Sequence, residues 1–244
     1  MANLGDYPRF LPVGDTALTV EFGDAIDPEI NAAVIAFDLR LAGADLAGIV
    51  ETVPTYRSLL VRYDPVALDF AALVTELRQL IARPGASARA VGTRWSVPVV
   101  YDPPFAADLE EVAERLKLSS DAIVALHAGA EYHVYAVGFA PGIPLLGGLP
   151  AALHIPRRQH PRPRVPDGAV MIGGMQAALI SMPVPSGWYI LGQTPLRGYD
   201  PEWQDPFLFR AGDRVRFRRI DAAEYARLAD GPSAAVVAGA RMGG

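Results

Sequence analysis

Apolar residues recur along this chain in two rhythms, and the change from one to the other marks its organisation. Short alternating runs between residues 9 and 22 flank Gly14-Asp15 and predict two strands. Asp27-Pro28-Glu29 reads as a helix start, with Asp as cap and Pro at the first helical position. Ile30, Val34, Phe37 and Leu41 follow at helical spacing. Residues 49–63 predict two more strands, broken at Pro54. Phe70, Leu73, Val74, Leu77, Leu80 and Ile81 mark a second amphipathic helix, which Pro84-Gly85 ends. Together these elements predict a small α+β domain, a sheet with two helices on one face.

Residues 84–92 are small and lack an apolar period, so the domain junction is placed there, closing an N-terminal domain over 1–88. Arg94 to Val100 reads as a strand. Two short helices follow over about 107–117 and 120–128, the second starting at Ser119-Ser120-Asp121. From Glu131 to Ile220 short apolar segments alternate with Gly and Pro turns and no helical period remains. That pattern predicts a mostly β, barrel-like domain over 89–232. The Ala/Gly-rich stretch 233–244 reads as a flexible tail.

Composition narrows the function. The 244 residues are 51% hydrophobic and 20% charged, which suits a soluble protein of one large or two small domains. With no cysteine, disulfide and thiolate chemistry are excluded, in keeping with a reducing cytoplasm. Met1 to Phe10 holds no signal-peptide core, and no apolar run reaches the ~20 residues of a membrane span. A net charge of −5 argues against a nucleic-acid partner. Lys117 is the sole lysine, so no Gly-Lys-Ser/Thr phosphate loop exists.

Within this acidic chain, Asp167 is the only carboxylate between Tyr132 and Tyr199. The same stretch carries Arg157, Arg158, Arg162 and Arg164 among Pro156, Pro161, Pro163 and Pro166. A stiff loop of planar guanidinium groups in a region cleared of acid points to a bound anion. His127, His133, His154 and His160 match no zinc spacing, so no metal site is expected. His127 closes the helix that carries Ile123, Val124 and Leu126. It is either an imidazole favourably placed at a helix C-terminus or a catalytic group. The loop Gly138 to Gly148, with Phe139, Pro141 and Gly142, either lines a ligand pocket or forms a crowded barrel turn. Gln176 either reads a lactam or carbamoyl group or is a buried structural amide. No Gly-x-Ser-x-Gly elbow surrounds Ser181 or Ser186. Trp188 and Tyr189 are expected in the barrel core.

The ordered series of motifs resembles a known family. It comprises Gly138-Phe-Ala-Pro-Gly-Ile-Pro-Leu-Leu-Gly-Gly148, Pro156-Arg-Arg-Gln-His-Pro-Arg-Pro-Arg-Val-Pro166, Ser186-Gly187-Trp188 and Leu191-Gly192-Gln193-Thr194-Pro195. Asp200-Pro201 and Gly212-Asp213-Arg214-Val215-Arg216-Phe217 continue it, and Gly14 to Gly23 and Val53 to Val61 agree near the start. The chain is thereby similar to allophanate hydrolase subunit 1, better described as the B subunit of 5-oxoprolinase, a family that includes the sporulation kinase inhibitor. The chain departs from the pattern at Ile143 and Leu145, where the family has Phe and Tyr. It departs again at Ala177-Ala178, which replace Thr-Gly after Gln176 and remove a hydroxyl beside the expected pocket.

The resemblance implies a cyclophilin-like barrel and a subunit of a cytoplasmic, ATP-dependent 5-oxoprolinase that opens a lactam to give glutamate. It implies two partners. One is a larger homologous barrel protein (allophanate hydrolase subunit 2-like, the C subunit of 5-oxoprolinase), and the other resembles the A subunit of 5-oxoprolinase. On this resemblance Arg157, Arg158 and Arg162 hold a small anionic substrate, Arg158 and His127 serve catalysis, and Gln176 with Gly138, Phe139, Pro141 and Gly142 lines the pocket. Two other roles follow from the same resemblance: a carboxyl-transfer function in allophanate and urea metabolism, or a non-catalytic histidine-kinase inhibitor.

Overall fold

The computed structural model describes residues 7–83 and 92–242. The expected junction and the ending of the second helix at Pro84-Gly85 fall mostly outside those residues. The chain divides into two compact units, Met1–Val91 and Gly92–Gly244.

The first unit runs β1 (Arg9–Pro12), β2 (Ala17–Glu21), α1 (Pro28–Ala44), β3 (Ile49–Pro54), β4 (Ser58–Tyr63) and α2 (Phe70–Ala82). Its strands form one antiparallel sheet in the order β1-β2-β4-β3. The Asp27 carboxylate caps α1 by accepting from the backbone N–H groups of Glu29 and Ile30, as the Asp-Pro-Glu pattern predicts. Val34, Phe37 and Leu41 of α1 and Leu73, Leu77 and Leu80 of α2 pack on Leu18, Val20, Leu59 and Val61 of the sheet. Asn31 is buried among them, and its amide donates to the carbonyls of Thr55 and Tyr56, which ties α1 to the β3–β4 turn.

The second unit holds β5 (Arg94–Val100), α3 (Leu109–Leu116), α4 (Ser120–Gly129), β6 (Glu131–Val137), β7 (Pro144–Gly147), β8 (Arg162–Val165), β9 (Ala169–Gly173), β10 (Gln176–Leu179), β11 (Val184–Ser186), β12 (Tyr189–Gln193), β13 (Arg214–Ile220), α5 (Ala222–Ala229) and α6 (Ser233–Ala240). Seven strands close into a barrel in the order β10-β7-β6-β13-β5-β12-β9. First and last strands β5 and β13 meet as a parallel pair, while the other neighbours are antiparallel. Closure leaves the barrel no free edge. Because side chains alternate across a strand, each strand serves two environments. Val170 and Ile172 of β9 and Ala177 and Leu179 of β10 join the main core. Their neighbours Ala169, Met171 and Ala178 form a second, smaller core with Val165, Val184 and Trp188.

Two helices overturn the sequence reading. Residues expected as a flexible tail form α6, whose Val236 and Ala240 are buried in the main core. The Met242 N–H donates to the Arg94 carbonyl at 2.9 Å, and Arg241 bridges Trp95, so the two residues after α6 are tied to β5. Small residues misled the reading: they carry little apolar weight but allow close packing. Helix α5 was also missed. Asp221 caps it through the Glu224 N–H at 2.7 Å, and the Asp-x-x-Glu spacing was its available signal. Among the described residues no helix is long and apolar enough to cross a membrane.

Candidate functional site

The arginine loop folds back on the protein's own acids. Asp108, which precedes α3, is only 2% exposed. Arg162 grips both of its oxygens, and Arg158 Nη1 donates to Oδ1 at 3.1 Å. The Ile190 N–H donates to Oδ2 at 2.8 Å. Arg158 Nη1 also donates to Glu111 at 2.6 Å. Burial opposes ionisation of Glu111, but hydrogen bonds from Arg158 and Arg115 hold its carboxyl below the usual range. The Glu111 hydrogen bond in turn raises the Arg158 pKa. Arg158 and Arg162 are therefore corrected from external anion ligands to clamps that fasten their loop to the start of α3. The acid that balances them comes from outside the acid-poor stretch, so a local count of charge could not find it. Arg157 and Arg164 make no ion pair among the described residues.

His127 is corrected too. It is fully buried, stacked on Phe217 with ring centres 4.6 Å apart. The Tyr101 hydroxyl lies 2.8 Å from Nδ1, and burial raises the Tyr101 pKa, so Tyr101 is the donor. Nε2 finds no partner among the described residues. Burial lowers the His127 pKa from 6.5 to about 3, which keeps the ring neutral. It is neither a charged helix terminus nor a group any substrate reaches.

This gives a first prediction. Because the folded pKa lies below the unfolded one, the unfolded chain binds the extra proton between about pH 6.5 and 3. Stability present above that window drains as pH falls through it, by up to about 1.4 kcal/mol per pH unit. Urea unfolding of the native chain and His127→Gln at pH 7 and pH 5 should show the variant losing about 2 kcal/mol less on acidification. Equal losses would count against a buried neutral histidine.

The glycine loop proves to be a crowded turn joining β6 to β7. Gly138 N–H donates to the Ile143 carbonyl at 3.0 Å, and Ser181 Oγ donates to the Gly142 carbonyl at 2.7 Å. Gly142 has φ +70°, and a Cβ there would lie 2.5 Å from Tyr199 Cβ, so only glycine fits. Phe139 also has a positive φ and is 75% exposed at the tip, beside exposed Pro141. The register sets Ala177 against Leu146, which brings Gln176 level with Gly147, at the far end of β7 from this turn. The structure therefore does not gather Gly138, Phe139, Pro141 and Gly142 with Gln176. The departures at Ile143, Leu145, Ala177 and Ala178 all serve apolar packing.

What does surround Gln176 is a face built from glycines and rings. Gln176 alternates with Ala177 of the main core, so it shares the opposite face with Ala178 and with Gly173, its strand partner. Gly173 seats the indole of Trp188: a Cβ there would lie 2.7 Å from Trp188 Cγ. On the other side Gly147 seats Tyr135, whose ring a Cβ would meet at 2.1 Å. The Arg157 guanidinium lies over Trp188, 5.4 Å from the ring centre. The Gln176 Nε2 group is buried without a partner among the described residues, an unmet donor that costs free energy until something accepts from it. Gln176, Trp188 and Arg157 are thus linked through Gly173: an amide with an unmet donor, a buried indole against its strand partner, and a guanidinium over that indole. The sequence expectation that Trp188 and Tyr189 lie in the barrel core holds: Trp188 packs in the smaller core and Tyr189 in the main one. No three acidic or histidine side chains gather as a metal-binding set among the described residues.

The chain falls within a described class: the carboxyltransferase domain, subdomain C and D, matches residues 8–209. The 5-oxoprolinase B subunit of Bacillus subtilis is 34% identical over 87% of this chain and 93% of its own length. The 5-oxoprolinase B subunit of Haemophilus influenzae is 39% identical over 86% and 96%. The chain belongs to the 5-oxoprolinase B-subunit family. Among solved structures, the crystal structure of TTHA0988 superposes with a TM-score of 0.75 at 38% identity, covering 89% of this chain. The match spans only 40% of that longer protein.

Proposed function

We propose that this chain is one subunit of an ATP-dependent 5-oxoprolinase and supplies recognition of the cyclic amide. The observation that carries this reading is the match, over nearly the full length of both chains, to proteins named as the B subunit of 5-oxoprolinase. The face around Gln176 fits it: the unmet amide donor suits a lactam oxygen and Arg157 a carboxylate. Lactam opening is coupled to ATP because phosphorylating the amide oxygen makes the carbon a better electrophile. The arginines expected to meet that phosphoryl charge do not fit the task, since Asp108 and Glu111 already hold Arg158 and Arg162. ATP handling is therefore not routed through them. The partners of this reading are a larger homologous barrel protein and one like the A subunit of 5-oxoprolinase. The longer chain of TTHA0988 is consistent with this domain working beside further ones.

The purified chain should not form ADP from ATP and 5-oxoproline alone, and turnover should appear on co-expression with both partners. In that complex, Gln176→Ala and Arg157→Ala should each raise KM about tenfold or more, the loss of one hydrogen bond or charge contact. Robust turnover by the isolated chain, or unchanged KM in both variants, would overturn the proposal.

A further inference from the structure

A second concentration of arginine sits on other strands of the barrel. Strand β13 sets Arg214 beside Arg94 of parallel β5, and beside His133 of antiparallel β6, with Arg216 beside Glu131. The alternating residues Trp95, Val215 and Phe217 turn into the main core, so the three arginines and Glu131 share the opposite face. With Trp95 and Met242 they line a small cleft of about 60 Å³. Glu131 uses one oxygen for Arg214, at 3.0 Å, and the other for Arg216, at 3.1 Å. Burial opposes its ionisation, but the charges of Arg214 and Arg216 hold its carboxyl below the usual range. Arg94 makes no ion pair among the described residues. His133 adds no charge: its Nε2 accepts from Arg214 Nη1 at 3.0 Å, and burial together with the Arg214 charge lowers its pKa.

Among the described residues three guanidinium groups thus face a single carboxylate, an excess of two positive charges in a concave site. Like charges on paired strands repel unless an anion lies between them. Glu131 also pins two of the forks, so less rotamer freedom is lost when they engage a ligand. We propose that this cleft binds a phosphate group, whose charge of about −1.5 to −2 at neutral pH matches that excess. Arg214 and Arg216 form a preset fork and Arg94 closes the third side.

Calorimetric titration of the full chain with inorganic phosphate tests this, at an ionic strength held constant with chloride. Saturable binding should weaken about tenfold or more in Arg94→Ala and in Arg216→Ala, each checked for native circular dichroism. Glu131→Gln keeps an acceptor for the arginines but removes the competing charge, so it should bind phosphate several-fold more tightly, an effect that a merely structural glutamate would not produce. Arg227→Ala, on α5, should bind as the native chain does. Repeating the titration with ADP distinguishes the source: tighter binding that still depends on Arg94 points to a nucleotide, and weaker binding to free phosphate. The proposal fails if phosphate gives no heat beyond chloride, if Arg94→Ala binds normally, if Arg227→Ala loses as much as Arg94→Ala, or if succinate binds as tightly as phosphate.

Discussion

Replacing both Arg158 and Arg162 by alanine should cost the barrel unit about 3–5 kcal/mol, because it strands a buried carboxylate. Asp108 is 2% exposed, and would keep only the Ile190 N–H of its four hydrogen bonds. Each single substitution should cost clearly less than half as much, since the remaining arginine still faces the same oxygen. Adding Asp108→Asn to the double variant should recover part of the loss by removing the buried charge. Arg227→Ala, on the surface of α5, should stay within about 0.5 kcal/mol of the native chain. Urea unfolding followed by Trp fluorescence measures all of these. A double variant as stable as Arg227→Ala would show that the clamp holds nothing, and would return the arginines to the role of free anion ligands.

Val236→Asp should destabilise the same unit by about 3 kcal/mol, although it lies in a stretch that reads as a tail. Val236 is 6% exposed within the main core, and a carboxylate there would be buried without a partner. Gly239→Ala, on the same helix, should do the opposite. A Cβ at Gly239 meets nothing within 4 Å, so alanine gains up to about 1 kcal/mol of helix propensity without a clash. Thermal unfolding of the two variants should move in opposite directions from the native midpoint. If both leave it unchanged, α6 is not part of the cooperative unit.

Much of the architecture was legible because its signals are local. A capping carboxylate and proline start α1 at Asp27-Pro28, and spacing places α2 at Phe70. Ser119 caps α4 where its sequence predicts. Closely spaced turn residues after Glu131 announce short antiparallel strands, which the barrel contains. The missed helices, α5 and α6, are short and poor in large apolar residues, so periodicity had little to register.

For the candidate site the division is different. By itself the sequence determined the residue types on offer: arginines between prolines, one glutamine in a strand, no cysteine, and an ordered motif series that marks the family. Only the tertiary structure decided what each one meets. It brought Asp108 and Glu111 to Arg158 and Arg162 across about fifty residues of chain, which turned a candidate anion site into an internal clamp. It sealed His127 behind Phe217 and lowered its pKa, where the same residue at an exposed helix end would favour its charged form. It seated Trp188 on Gly173 beside Gln176, and it gathered Arg94, Arg214 and Arg216 around Glu131 from three strands. The physical reason is common to all four. Hydrogen-bond caps and apolar periods act within a few residues of chain. Charge compensation, desolvation and close ring packing act through space, and depend on neighbours that only barrel closure supplies.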